Sequence, residues 1–168
     1  YLNQPFGRQL DLIRLALPEA HRVGVLWGGQ AYGQIGAMQA AAQERNIQLV
    51  SARIGAGETV FPALQRVLDD SDVLLSVPDP QIYNSASIQN ILLTSFRKRV
   101  PFAGFSPAYV AAGALFSVHS TPAMIGRQAA TLARNFLQGR GLPATAVYPA
   151  DFTVTVNEQV ARSLGLSL

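Results

Sequence analysis

Asp79 stands between two prolines at the end of an apolar run, 73-VLLSVPDP-80, with Tyr83 and Asn84 just beyond it. A carboxylate in that position can accept hydrogen bonds from a ligand or pair with a ligand amine. It can equally cap the helix that begins near Gln81, because short polar residues ahead of a helix satisfy its first N–H groups. The flanking prolines stiffen the turn. Comparable groups follow the other apolar runs. Trp27, Gly28, Gly29, Gln30 and Tyr32 follow 22-RVGVLW-27, and Phe105, Ser106, Pro107 and Tyr109 follow 100-VPFAGF-105. His119, Ser120 and Thr121 follow 113-GALFSV-118. Aromatic walls with a few hydrogen-bonding groups suit a small organic ligand. Trp27 and Phe105 are equally suited to a hydrophobic core.

No catalytic constellation assembles from these residues. The segment Gly28-Gly29-Gln30-Ala31-Tyr32-Gly33 is not GxGxxG and lacks the Lys-Ser/Thr of a phosphate-binding loop. No acidic residue ends the next strand to hold a ribose, so the glycines read as a turn serving local geometry. His21 and His119 lie far apart without ligand-like neighbours, which leaves a metal site unsupported. Ser106 lies in Gly104-Phe105-Ser106-Pro107, not in a GxSxG elbow. A phospho-acceptor role for Asp79 would need an acidic pair after the first strand, where Trp27 and Gly28 stand. There is no cysteine, hence neither a disulfide framework nor thiolate chemistry. The expectation is a binding protein without a cofactor, not an enzyme.

The elements that must position these residues follow from periodicity. At 168 residues the chain suits one domain with a real core, and 49% hydrophobic against 14% charged residues excludes a disordered chain. The net charge of +3 is scattered. Its densest run, Arg97-Lys98-Arg99, reads as a helix C-terminus complementing the dipole, and no basic face for nucleic acid emerges. No apolar run reaches the roughly 18 residues of a membrane span. The opening YLNQPFGRQL is not a leader, and the missing initial Met suggests a piece of something longer or a mature product.

Helical spacing appears over 4–17 (Phe6, Leu10, Ile13, Leu17), 31–45 with Asn46 as C-cap, 58–69 with Glu58 in the first turn, 82–98, and 122–138 between Pro122 and Gly139. Strands are expected at 22–27, 47–54, 72–77, 100–105, 113–118 and, with alternation, 151–156; a short helix starts near Asn157. Strands alternating with helices make βαβ units. The expected fold is α/β, a single doubly wound parallel sheet of Rossmann-like or flavodoxin-like type, with residues 139–149 as the soft linker. In such sheets ligands bind beyond the carboxyl ends of the strands. The candidate ligand-binding set is therefore Trp27, Gly28, Gly29, Gln30, Tyr32, Asp79, Tyr83, Asn84, Phe105 and Ser106.

Four segments carry a resemblance: 17-LPEAHRVGVLW-27, 73-VLLSVPDP-80, 101-PFAGFSPAYVAAGALFSVHSTPAMIGRQAA-130 and 152-FTVTVNEQVARSLGL-166. In order and spacing they resemble the ABC-transporter substrate-binding family that includes proteins assigned to tryptophan and tyrosine. The resemblance runs over nearly the whole chain from about Gln4. It implies the type I periplasmic-binding-protein fold, two doubly wound lobes with a small ligand between them, and makes this chain mainly the C-terminal lobe. The first lobe would precede Tyr1, and the helix over 121–138 would cross to pack on it. Ligand contacts would come from loops matching Trp27–Tyr32, Pro78–Asn84 and Phe105–Pro107. The family's first loop often reads Asn-Pro-Ser-Glu and its third Thr-Asp-Asn. Here Gly28-Gly29-Gln30-Ala31 and Asp79-Pro80-Gln81 replace them, so recognition of an amino-acid carboxylate does not carry over directly. The implied role is the periplasmic or extracytoplasmic solute-binding component of an ABC importer. It would take an aromatic or amino-acid-like solute and present the closed form to a permease.

Two other readings compete: an extracytoplasmic sensing domain of a receptor or regulator on the same fold, and an α/β enzyme lacking the expected motifs. One further expectation concerns the stripe Ile125, Ala129, Leu132 and Phe136. Leaving it wet costs about 1.5–3 kcal/mol per large side chain. Without the first lobe it should fold back on its own sheet or pair with a second copy as a homodimer through the 121–138 helix.

Overall fold

The computed structural model describes residues 1–167. In chain order the elements are α1 (Phe6–Ala16), β1 (Arg22–Trp27), α2 (Ile35–Gln43), β2 (Gln48–Arg53), α3 (Val60–Asp69), β3 (Val73–Leu75), α4 (Ile88–Arg97), β4 (Phe102–Gly104), α5 (Pro107–Ala112), β5 (Phe116–His119), α6 (Pro122–Leu137), β6 (Thr153–Val156) and α7 (Glu158–Leu164). The strands form one sheet in the order β2-β1-β3-β4-β5-β6.

Alternate residues of a strand face opposite sides, and both sides are covered here. Val23, Val25 and Trp27 of β1 join Leu10 and Ile13 of α1 and Met38 of α2 in one core cluster. Leu26 of the same strand joins Leu64 and Val67 of α3, Ile91 of α4 and Phe102 of β4 in the other. That division makes the fold doubly wound.

The expected all-parallel sheet needs one correction. β1 to β5 run parallel, but β6 pairs antiparallel with β5, His119 opposite Thr153 and Phe116 opposite Val156. The chain leaves β5 at the carboxyl edge and returns at that same edge, so it must run back the other way. The TVTV alternation of β6 matches a strand with one exposed face, half-buried and exposed residues taking turns.

Several boundaries also shift. Glu58 lies ahead of α3, where it turns back to accept the Gly55 N–H at 2.8 Å. The helix expected from 82 begins only at Ile88. Before it, the Asn84 side chain accepts from Ala86 and Ser87 N–H and donates to the Pro80 carbonyl, a local network that competes with helix. A single 3₁₀ turn over Tyr32–Gln34 precedes α2. The strand expected at 113–118 is β5, shifted to 116–119, and ahead of it lies α5, which sequence spacing did not suggest. This helix has only six residues, opens on Pro107 and ends at Gly113 with φ 123°.

Candidate functional site

β1, β3, β4 and β5 all end at one edge, so their following loops converge there. α1 also begins at that edge, which brings residues 2–4 alongside, and three tight networks organise it. Trp27 is fully buried. It meets Phe6 edge-on at 6.5 Å between ring centroids, and its Nε1–H donates to Ser51 Oγ at 3.2 Å. Asp79 is 2% exposed, and its carboxylate accepts from the Ala31 N–H and the Gln81 N–H, both at 2.9 Å. A Cβ at Gly28 would stand 2.6 Å from that carboxyl group, so glycine is what lets the carboxylate in. Gln81 completes the stitching, its Oε1 accepting the Gly29 N–H at 3.0 Å and its amide donating to the Gly55 carbonyl at 2.8 Å. The loops after β1, β2 and β3 are thus tied together, with Asp79 and Gln81 as the knots.

Tyr83 is buried between Phe102 and Phe105, each 6.1 Å away edge-on, and its hydroxyl has no hydrogen-bond partner. Burial, with smaller contributions from Tyr109 and Asp79, pushes its pKa far above the ordinary phenol value. Trp27, Asp79 and Tyr83 therefore lie beneath the edge and shape it from below, with almost no surface of their own. Gln30 and Asn84 are exposed, and Tyr32 lies half-buried under the Arg53 guanidinium at 4.2 Å.

Phe105 and Ser106 are brought to a cleft of about 300 Å³ at the carboxyl edge. Its other walls come from Gln4 and Gln9 at the start of the chain, from His119 at the end of β5 and from Thr121 just beyond it. Tyr109 holds Phe105 edge-on at 4.6 Å. Gln4 donates to Ser120 Oγ at 2.7 Å, and Ser120 donates to the Asp151 carbonyl at 2.6 Å, linking three chain segments. His119 Nδ1 lies 3.3 Å from Ser117 Oγ, and burial lowers the imidazole pKa below its usual value. The candidate set thus splits, with Phe105 and Ser106 in the cleft, Gly28, Asp79 and Tyr83 in its foundations, and Gly29 exposed on the loop after β1. Sequence reading missed Gln4 and Gln9 as cleft residues. They sit at the start of the chain, and no local pattern reveals which edge α1 begins on. His119 had a signal, since it follows an apolar run like the others.

A doubly wound sheet with a cleft over its carboxyl edge is the domain fold of type I periplasmic binding proteins. The chain belongs to the family described as ABC transporter substrate binding protein, which it matches over residues 3–168. Among solved structures it is similar to a conserved domain protein from Vibrio cholerae O1 biovar El Tor, with 24% identity and a TM-score of 0.75, over 98% of this chain and 56% of that one. It is also similar to the ligand-free, open structure of a substrate binding protein with adhesive properties from Clostridium difficile, with 20% identity and a TM-score of 0.76, over 96% of this chain and 55% of that one. A third is an ABC domain in complex with L-Trp from Streptococcus pneumonia, with 18% identity and a TM-score of 0.72, over 97% of this chain and 56% of that one. The chain therefore spans little more than half the length of these proteins. No curated protein matches it. Among the described residues no helix is long and apolar enough to cross a membrane.

Proposed function

We propose that this chain is the C-terminal lobe of a two-lobed, extracytoplasmic solute-binding protein serving an ABC importer. The solute is a small aromatic or amino-acid-like molecule held between the lobes. Closure on the solute produces the form that the permease recognises. The observation that carries this reading is the cleft at the carboxyl edge, walled by the pinned ring of Phe105 and the polar groups of Ser106, His119 and Gln4. Family membership and a length near half that of similar proteins agree with it.

α6 supports the two-lobed reading. None of its residues is buried, Phe136 is 57% exposed, and the helix leaves and rejoins the sheet at the cleft edge. Its inner side is held only lightly: Gln128 donates to the Tyr148 carbonyl and accepts the Ala150 N–H. We assign the cover of its free face to the first lobe rather than to a second copy. A full-length protein that sediments as a dimer would favour the second copy.

The test is thermal unfolding of the full-length protein against amino acids, nucleosides and small aromatics. A binder raises Tm by mass action. Phe105→Ala is expected to lower affinity for that compound about tenfold or more, since an aromatic anchor of a desolvated site typically carries more than 1 kcal/mol. Unchanged affinity in Phe105→Ala would move the site elsewhere.

A further inference from the structure

Among the described residues the cleft wall carries no Asp, Glu, Lys or Arg side chain. The charged groups on adjoining elements are already engaged. Arg8 of α1 donates to Gln4 Oε1 at 2.6 Å and to the Pro149 carbonyl at 2.8 Å, and lies over the Phe152 ring. The Asp79 carboxylate is taken by two backbone N–H groups, and the Asp151 carboxylate points toward Arg127 at 4.0 Å. Helix starts could still supply positive potential, because α1, α5 and α6 all begin at this edge. Each of these starts has one donor fewer than usual, however. Pro5 precedes α1, and Pro107 and Pro122 open α5 and α6, each without an N–H to offer. The Met124 N–H of α6 is already bonded to Thr121 Oγ1 at 3.3 Å.

What remains is one aromatic ring and several neutral polar groups. Ser106 caps nothing with its side chain, and His119, bonded through Nδ1, leaves Nε2 for a ligand. A charge pressed against this wall when water is expelled would meet no Asp, Glu, Lys or Arg side chain, which is unfavourable. Resting on the solute-binding reading above, we infer that the part of the solute seated on this lobe is an uncharged planar ring with a polar edge. The ring stacks at Phe105 and hydrogen-bonds to Ser106 and His119, while any ionic group of the solute faces the opposite lobe.

The same inventory makes the wall sensitive to acid. The titratable groups on the elements around the cleft are Tyr83 and Tyr109, the bonded Asp79, Asp151 with Arg127, and Arg8 of α1. The Asp79 carboxylate is taken by two N–H groups, and the exposed Asp151 carboxylate lies 4.0 Å from Arg127. Near neutral pH the imidazole is uncharged, its pKa lowered by burial. Protonation in acid places a cation in the cleft and makes both imidazole nitrogens donors.

The experiment measures Tm shifts of the full-length protein with compounds sharing one ring: indole, tryptamine, indole-3-acetate and L-tryptophan. Nicotinamide and nicotinate form a second pair. We expect indole or nicotinamide to stabilise by itself, whether or not its charged counterparts also do. Stabilisation by charged members alone would overturn the inference and leave solute binding standing. No shift with any compound, these or the wider panel, would overturn both. For the neutral binder, affinity is expected to hold from about pH 7.5 to about pH 6.5 and to fall only below that, as pH drops through the lowered His119 pKa. In His119→Gln that pH dependence should be lost. An undiminished fall in His119→Gln, or none in the parent, would remove His119 from the recognition.

Discussion

Asp79 holds two backbone N–H groups from different loops, and this explains why an acidic residue sits between prolines at a strand end. Replacing it with Ala strands both donors in a buried setting and is expected to cost about 2–4 kcal/mol in urea unfolding. Gly28→Ala should cost about 1–3 kcal/mol, because its methyl displaces the bonded carboxylate. Together the two changes should cost less than their sum, since the clash disappears with the carboxylate. Strict additivity would mean that the two residues do not meet. Asp72, at the other end of the sheet, shows the acid response. Burial alone would raise its pKa. The Arg22 N–H at 2.7 Å, the Arg22 guanidinium at 3.0 Å and the His21 N–H at 2.9 Å outweigh it, so the folded value is lowered. Its contribution is therefore complete above the unfolded carboxylate pKa, about 3.9, and is lost as pH falls through the lower folded value. Asp72→Asn should flatten that part of the stability profile below about pH 4, as read from urea midpoints across pH.

Helix ends set the loop geometry at both edges. Five helices close with a left-handed residue and the paired bonds of a Schellman motif: α2 at Asn46, α4 at Arg99, α5 at Gly113, α6 at Gly139 and α7 at Gly165. In α4, for example, the Val100 N–H reaches the Ser95 carbonyl and the Arg99 N–H reaches that of Phe96. Asn and Gly tolerate this conformation, and the sequence announces them. Arg99, at φ 57°, does not. Arg99→Gly is expected to stabilise the protein by up to about 1 kcal/mol, whereas Gly113→Ala should destabilise it by about 1–2 kcal/mol. Thermal unfolding of the pair decides this, and a loss of stability in Arg99→Gly would mean that its arginine side chain matters more than its backbone. At the other ends, Thr121 and Asn157 cap α6 and α7 by accepting the Met124 and Val160 N–H groups. The Thr-Pro and Asn-Glu sequences there were readable as starts.

At the scale of the molecule, the contrast lies between a sheet sealed on both faces and an α6 that the rest of the chain barely holds. Leu10→Ala, in the fully buried stripe of α1, should cost about 2–5 kcal/mol. Phe136→Ser, on the open face of α6, should change the stability of this chain alone by less than about 0.5 kcal/mol. In the full-length protein the same substitution should be clearly destabilising if the first lobe covers that face. Equal, small effects in both proteins would leave α6 uncovered. The sequence by itself determined the alternation of strands and helices, the continuous apolar strands that demand cover on both faces, and the loops at the carboxyl edge. Those features arise from local periodicity, turn chemistry and the handedness of βαβ units. Only the tertiary structure decided that β6 runs antiparallel, that Trp27, Asp79 and Tyr83 lie under the edge, and that Gln4, Gln9 and His119 join Phe105 and Ser106 in the cleft. Strand direction depends on the edge at which a returning chain arrives, and burial of a strand-end side chain depends on what packs over it. Both are set by residues distant in sequence, which no local pattern records.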